Sequence, residues 1–220
     1  MAITFVDANS FFNSSSTTSN VFSALNVTTG DTIVVGSRTG LPSSYITSVT
    51  DTAGNVYRQA FNQLGNVPTE VWYCTNCTGN ASNVVTMNYS NSTGNASGAI
   101  AQFRGLAIIS PIDVQVGKTN LSSFTITSPS FSTAVANSVL IGYAMINDTN
   151  GIWTVDTGWT QATVDATDVN IIQYKIVSAL QSGVTTTMTN TKNTDKTFIV
   201  ISLHETISSG GGGSGGAFVF

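Results

Sequence analysis

The 220-residue chain carries 7 Lys plus Arg against 11 Asp plus Glu, a net charge of −4, with 41% hydrophobic and only 8% charged residues. That apolar content can fill a core and excludes a disordered chain. Seven scattered basic residues leave no stripe for phosphate contacts, which excludes electrostatic nucleic-acid binding. The missing charge is replaced by 27 Ser, 33 Thr, 20 Asn and 20 Gly, the composition of a many-stranded β protein with a hydroxyl-rich surface.

In chain order, β-branched and aromatic enrichment between polar breaks predicts strands over Ala2–Ala8, Val21–Val27, Thr32–Ser37, Tyr45–Thr50, Val56–Phe61, Glu70–Thr75 and Asn83–Tyr89. It continues with Gly98–Phe103, Phe124–Thr127, Ser138–Ile146, Gly158–Val164, Asn170–Val177, Val184–Thr189 and Lys196–His204. Alternation is clear in Val71–Thr75 and blurred in Ser138–Ile146, which reads as a strand buried on both faces. Ile171–Leu180 could pass as a helix, but its Ile-Ile-x-Tyr-x-Ile-Val content favours a strand. The expected fold is all-β: an antiparallel β-sandwich of jelly-roll type over residues 1–207. No alignable internal period is visible between its halves. A Gly/Ser-rich linker, 208–216, follows, and then the apolar segment Ala217-Phe218-Val219-Phe220. That segment is expected to dock on another subunit by adding a strand to an open sheet edge.

No apolar run approaches the length of a membrane-spanning helix. The start, Met1-Ala2-Ile3-Thr4-Phe5-Val6-Asp7, lacks the basic and long apolar regions of a signal peptide. Gly212-Gly213-Ser214-Gly215-Gly216 matches the serine-hydrolase elbow G-x-S-x-G, and Gly211–Gly216 contains G-x-G-x-x-G. Both patterns require a following helix, so both are read as low-complexity coincidence. Asp51-Thr52-Ala53-Gly54-Asn55 and Asn147-Asp148-Thr149-Asn150-Gly151 read as turns, since neither has the spacing and terminal Glu of a calcium loop.

Cys74-Thr75-Asn76-Cys77 is a C-x-x-C at a strand end, without the second pair or histidines that zinc needs. Its thiols would point to opposite faces of a regular strand. They are read as free thiols, with a disulfide open as the alternative if a local turn intervenes. His204 is read as a satisfied histidine closing the last strand, because nothing nominates a nucleophile to go with it. N-x-S/T sequons start at Asn13, Asn26, Asn76, Asn80, Asn88, Asn91, Asn95, Asn120 and Asn147. The cluster Asn76, Asn80, Asn88, Asn91 and Asn95 is the candidate glycosylated surface, with compositional coincidence as the plainer account. No metal site, cofactor site or catalytic set is expected.

The run Ser48-Val49-Thr50-Asp51-Thr52-Ala53-Gly54-Asn55-Val56-Tyr57 resembles a recurring β-sandwich module of the form S-V-T-D-x-x-G-N-x-Y. The likeness continues through Val71-Trp72-Tyr73, Asn76-Cys77-Thr78-Gly79, Val85–Ser90, Ala101–Gly105, Ser110–Asp113 and Gly158-Trp159, covering about residues 2–204. Such modules belong to phage virion structural proteins and prokaryotic surface proteins. The resemblance implies that Asp51, Gly54 and Asn55 are turn residues, that Tyr57 and Trp72 are core, and that the role is assembly or surface decoration rather than catalysis. The expected function is thus a non-enzymatic structural protein of a virus particle: a capsid-surface, decoration or tail-associated subunit located in the virion. Its expected partners are other copies of itself and other virion or surface proteins, with no nucleic acid and no membrane. The alternative is a secreted, N-glycosylated filament subunit or adhesin of a prokaryotic surface. A third reading is a carbohydrate-binding module with Trp72, Trp153 and Trp159 as sugar platforms, although all three are expected in the core, Trp72 above all.

Overall fold

The computed structural model describes residues 2–65 and 68–206. Among them are sixteen strands and no helix: β1 (Thr4–Asn13), β2 (Thr17–Val21), β3 (Leu25–Val27), β4 (Thr32–Arg38), β5 (Ile46–Asp51), β6 (Arg58–Gln63), β7 (Thr69–Cys74) and β8 (Asn80–Asn83). The remainder are β9 (Val85–Thr93), β10 (Ala96–Arg104), β11 (Ile112–Thr127), β12 (Ser138–Ile146), β13 (Trp153–Thr154), β14 (Thr160–Val164), β15 (Asn170–Val177) and β16 (Thr187–His204).

The first ten strands form one antiparallel ribbon rolled on itself. β1 pairs β10, β2 pairs β9, β3 pairs β8 and β4 pairs β7, so the outgoing arm lies beside the returning arm. Rolling then sets β10 beside β4 and β9 beside β5. This is the jelly-roll arrangement. Its sheets are β1-β10-β4-β7-β6 and β2-β9-β5, with the β3-β8 pair completing the second layer. Ile33, Val35, Val49, Met87 and Ile100 fill the space between them.

The last six strands repeat the same roll with fewer breaks. The front of β11 pairs the end of β16, and its rear pairs the start of β16. The bridge Phe131–Val184 stands where β3 meets β8, and β12 pairs β15. Two β-bulges coincide. One lies after Phe5, opposite Phe103, and again after Ile112, opposite Leu203. The other lies after Gln59, opposite Trp72, and again after Gln161, opposite Gln173. A bulge costs a ladder bond and re-aims its strand, so matching bulges at matching registers mark two versions of one design. The chain is a tandem repeat that sequence periodicity does not reveal. Loop lengths differ between the halves, and facing core positions carry different side chains.

The two halves pack face to face. Val34, Val71, Ala101 and Phe103 of the first meet Ile141, Tyr143, Ile172 and Ile201 of the second in a middle apolar layer. β4, β10 and β12 are therefore buried on both faces, which explains the blurred alternation of Ser138–Ile146. A third apolar cluster behind the second half holds Leu140, Trp153, Trp159, Met188 and Phe198. Ile171–Leu180 contributes the strand β15 rather than a helix. The front of β11 escapes sequence reading because Gln115, Lys118 and Asn120 interrupt its apolar pattern on a half-exposed strand.

Candidate functional site

The S-V-T-D-x-x-G-N-x-Y run is a turn built around one carboxylate. Asp51 ends β5 and accepts hydrogen bonds from the Asn55 N–H (2.9 Å), the Asn55 amide (2.8 Å), the Tyr57 hydroxyl (3.0 Å) and the Asn83 amide (2.9 Å). Gly54 supplies the positive φ of 74° that the reversal needs. Burial alone would raise the Asp51 pKa, but the bonds from Asn83, Asn55 and Tyr57 outweigh it and hold the carboxyl below the usual range. Tyr57 is buried. Asp51 is therefore fully engaged in holding the turn.

That turn forms one wall of a cleft of about 570 Å³. Arg58 and Tyr73 line it from β6 and β7, the Cys74–Asn76 turn lines its floor, and Ile108–Pro111 closes the far side. Val56 and Ile109 stand on its rim, 73% and 79% exposed, so large apolar side chains face solvent beside a cationic group. At the floor, Asn76 takes a φ of 52° and turns the chain so that Cys77 comes back beneath Cys74. The Cys77 thiol donates to Cys74 Sγ at 3.0 Å, both residues are buried, and both are free thiols. This is the local turn that a C-x-x-C pairing on a strand end requires.

A second cleft, of about 400 Å³, opens between β5, β6 and β7. Tyr45, Gln59, Asn62, Leu64 and Trp72 line it around the Glu70 carboxylate. Glu70 Oε1 accepts from the Ile46 N–H, while Oε2 accepts from the Gln59 amide (2.7 Å) and the Trp72 indole (2.9 Å). Trp72 is half-buried with one part against the inner core, and Tyr45 is exposed at the rim. Glu70, Trp72 and Cys74 share one face of β7 by strand period, a signal that the sequence carries. Asn62 joins them through the β6–β7 pairing, whereas Tyr45 arrives from beside β5 in the other sheet, a convergence with no such signal.

The other expected residues fall as follows. Trp153 and Trp159 are buried in the third apolar cluster and so are not exposed platforms. Of the three tryptophans, Trp72, the one expected deepest in the core, is the one that lines a cleft. Both ring nitrogens of His204 face backbone carbonyls, Nδ1 at 2.7 Å from Glu205 O and Nε2 at 3.0 Å from Ser110 O. Asn76, Asn91 and Asn95 are exposed, Asn76 and Asn95 in left-handed turns. Asn80 and Asn88 are half-buried and their amides donate to Thr52 and to Ser48. The five sequons are not brought to one point. Ala217, Phe218, Val219 and Phe220, with the linker before them, lie outside the described residues.

No protein-family model matches the chain, and no curated protein does. Among solved structures, the C-terminal domain of the AgI/II polypeptide BspA of Streptococcus agalactiae is similar over 91% of this chain and 92% of its own, at 8% identity. The TM-score is 0.23, a likeness too low to carry an argument about fold or function.

Proposed function

We propose that the protein is a non-enzymatic structural subunit of a virus particle, working by packing against other copies of itself and other particle proteins. The observation that supports this reading best is the tandem of jelly rolls fused back to back through a continuous apolar layer. Jelly rolls recur in viral capsid and lectin domains, which is an analogy of fold. The composition adds to it: with only 8% charged residues, the surface offers little charge to desolvate at a contact between subunits. Gold-labelled antibody against the chain, applied to material from the native source, tests the proposal. Label on regular particles is expected. Label confined to a cell surface, or to no assembly, overturns it.

A second reading, carbohydrate binding, is favoured by the Tyr45–Trp72 cleft. Sugars stack on aromatic faces and hydrogen-bond to amides and carboxylates, and this cleft offers Trp72, Tyr45, Gln59 and Asn62 together. A glycan array read with wild type and with Trp72→Ala decides it. Binding lost in the variant supports the reading, and no binding by the wild type removes it.

A further inference from the structure

We infer that Cys74 and Cys77 are a reversible dithiol–disulfide couple, oxidised in the folded protein by a low-molecular-weight disulfide that enters through the Arg58–Tyr73 cleft. Four features of the site bear on this. The sulfurs are 3.0 Å apart, the turn between them is already formed, Cys74 lines the cleft, and Cys77 lies behind it with no exposure. The turn is held without any help from a covalent bond. The Cys77 N–H donates to Asp31 O and Gly30 N–H donates to Cys77 O, each at 2.9 Å. Closing the disulfide therefore asks for little backbone movement, the condition under which such bonds form without strain. The second half of the tandem has no counterpart, since Lys175 holds the register position of Cys74 opposite Leu140. The pair is thus an addition to one copy of the design rather than part of its common frame.

The order of events follows from who donates to whom. The Cys77 thiol donates to Cys74 Sγ, which lowers the Cys74 pKa against the opposing effect of burial. The same contact, with burial, pushes the Cys77 thiol up. Cys74 is therefore the first nucleophile, and it is also the sulfur on the cleft side. Its thiolate attacks one sulfur of oxidised glutathione. The glutathione S–S bond breaks, a mixed disulfide forms at Cys74, and the released thiolate takes up the proton that Cys74 lost. Cys77 then gives its proton to solvent, and its sulfur attacks Cys74 Sγ. That step expels the second glutathione as thiolate, which is protonated from solvent. The protein loses two electrons and two protons, and one glutathione disulfide becomes two thiols. The new bond ties the end of β7 to the turn that floors the cleft.

The test uses the full chain, incubated natively with oxidised glutathione or with dithiothreitol, then unfolded, alkylated and weighed intact. After oxidation the expected product has lost two hydrogens, takes up no alkyl group and yields a single peptide joining Cys74 to Cys77. Its melting temperature is expected to rise by roughly 4–8 °C, the effect of closing a very short loop in a chain of this size, and to fall back on reduction. Cys77→Ala is expected to stop at one glutathione on Cys74, and Cys74→Ala to take up none while folded. Two alkyl groups on the oxidised wild type overturn the inference, because the thiols then did not pair. A glutathione adduct on Cys74→Ala equal to that on Cys77→Ala overturns the assigned order and the route through the cleft.

Discussion

Gly36→Ala is the sharpest test of the face-to-face packing. Gly36 of β4 and Tyr143 of β12 hold equivalent registers in the two halves, opposite Ala99 and Val71 in one and Ile199 and Ile172 in the other. They meet in the middle layer. A Cβ on Gly36 would lie 2.3 Å from Tyr143 Cδ2, 2.4 Å from Cγ and 2.7 Å from Cε2. All three are ring atoms of a side chain only 1% exposed, so relief needs movement of a packed ring or of a whole sheet. Overpacking of this kind costs about 1–3 kcal/mol, and contact with a rigid ring places this case toward the upper end. For a chain of this length the melting temperature should fall by roughly 4–10 °C. Differential scanning calorimetry and urea unfolding measure it, with Gly65→Ala as a control, where the added carbon meets only the Thr119 side chain, at 3.4 Å or more. Tyr143→Ala costs stability by itself but removes Cγ and the ring atoms that stand in the way. The double variant should therefore be more stable than the sum of the two single effects by about 1 kcal/mol or more. A Gly36→Ala protein within ~0.5 kcal/mol of wild type, or strict additivity in the cycle, would refute the reasoning.

Asp51→Ala should cost roughly 2–4 kcal/mol, because it strands the Asn55 N–H and two amides that bond to a charged acceptor, and urea unfolding reads it. Asp51 and Asp31 both have folded pKa values below their unfolded ones. In Asp31 the ion pair with Arg104 at 2.7 Å and bonds from Thr28 and Gln102 overcome burial. Their stabilisation is therefore present above the unfolded value of about 3.9 and is lost as pH falls through and below it, so the midpoint of thermal unfolding should drop below pH 4 and drop less in Asp51→Asn. Lys196, fully buried and bonded to the carbonyls of Ser123, Lys192 and Thr194, is lowered by burial to about 8. The unfolded chain then binds more protons at this site between pH 8 and about 10.5, so wild type should gain stability relative to Lys196→Met across that window. Residues 2–106 and 107–206 produced separately should each expose the middle apolar layer and aggregate, and co-expression should recover one soluble complex in size-exclusion chromatography. Deleting 210–220 should leave a folded β protein that incorporates poorly into particles, and incorporation at the wild-type level would show that the tail is not an assembly strand.

The class of fold and most of the strands are legible in the pattern of side chains. Where one face is buried, as along β9, the period of two is written in the side chains, with Val85, Met87 and Tyr89 buried between Thr86, Asn88 and Ser90, and where both are buried, as in Ser138–Ile146, a continuous apolar run replaces it. The Asp51–Tyr57 turn is legible as well, because short-range hydrogen bonds and a positive φ demand particular residue types at fixed spacing. The tandem roll, in contrast, emerges only when the chain is packed, since pairings such as Phe5 with Phe103 and Ile112 with Leu203 join residues about a hundred positions apart. Their register is set by bulges and core volume rather than by residue identity. Gly36 and Tyr143 show why: they hold equivalent positions and fit because one is small where the other is large. The same holds for the clefts. Tyr45 lies just before β5, Asn62 in β6 and Trp72 in β7, and Cys77 reaches Cys74 only because Asn76 leaves the extended conformation. Contacts within a turn follow from local chemistry, whereas contacts between strands follow from how much volume each sheet leaves for the next.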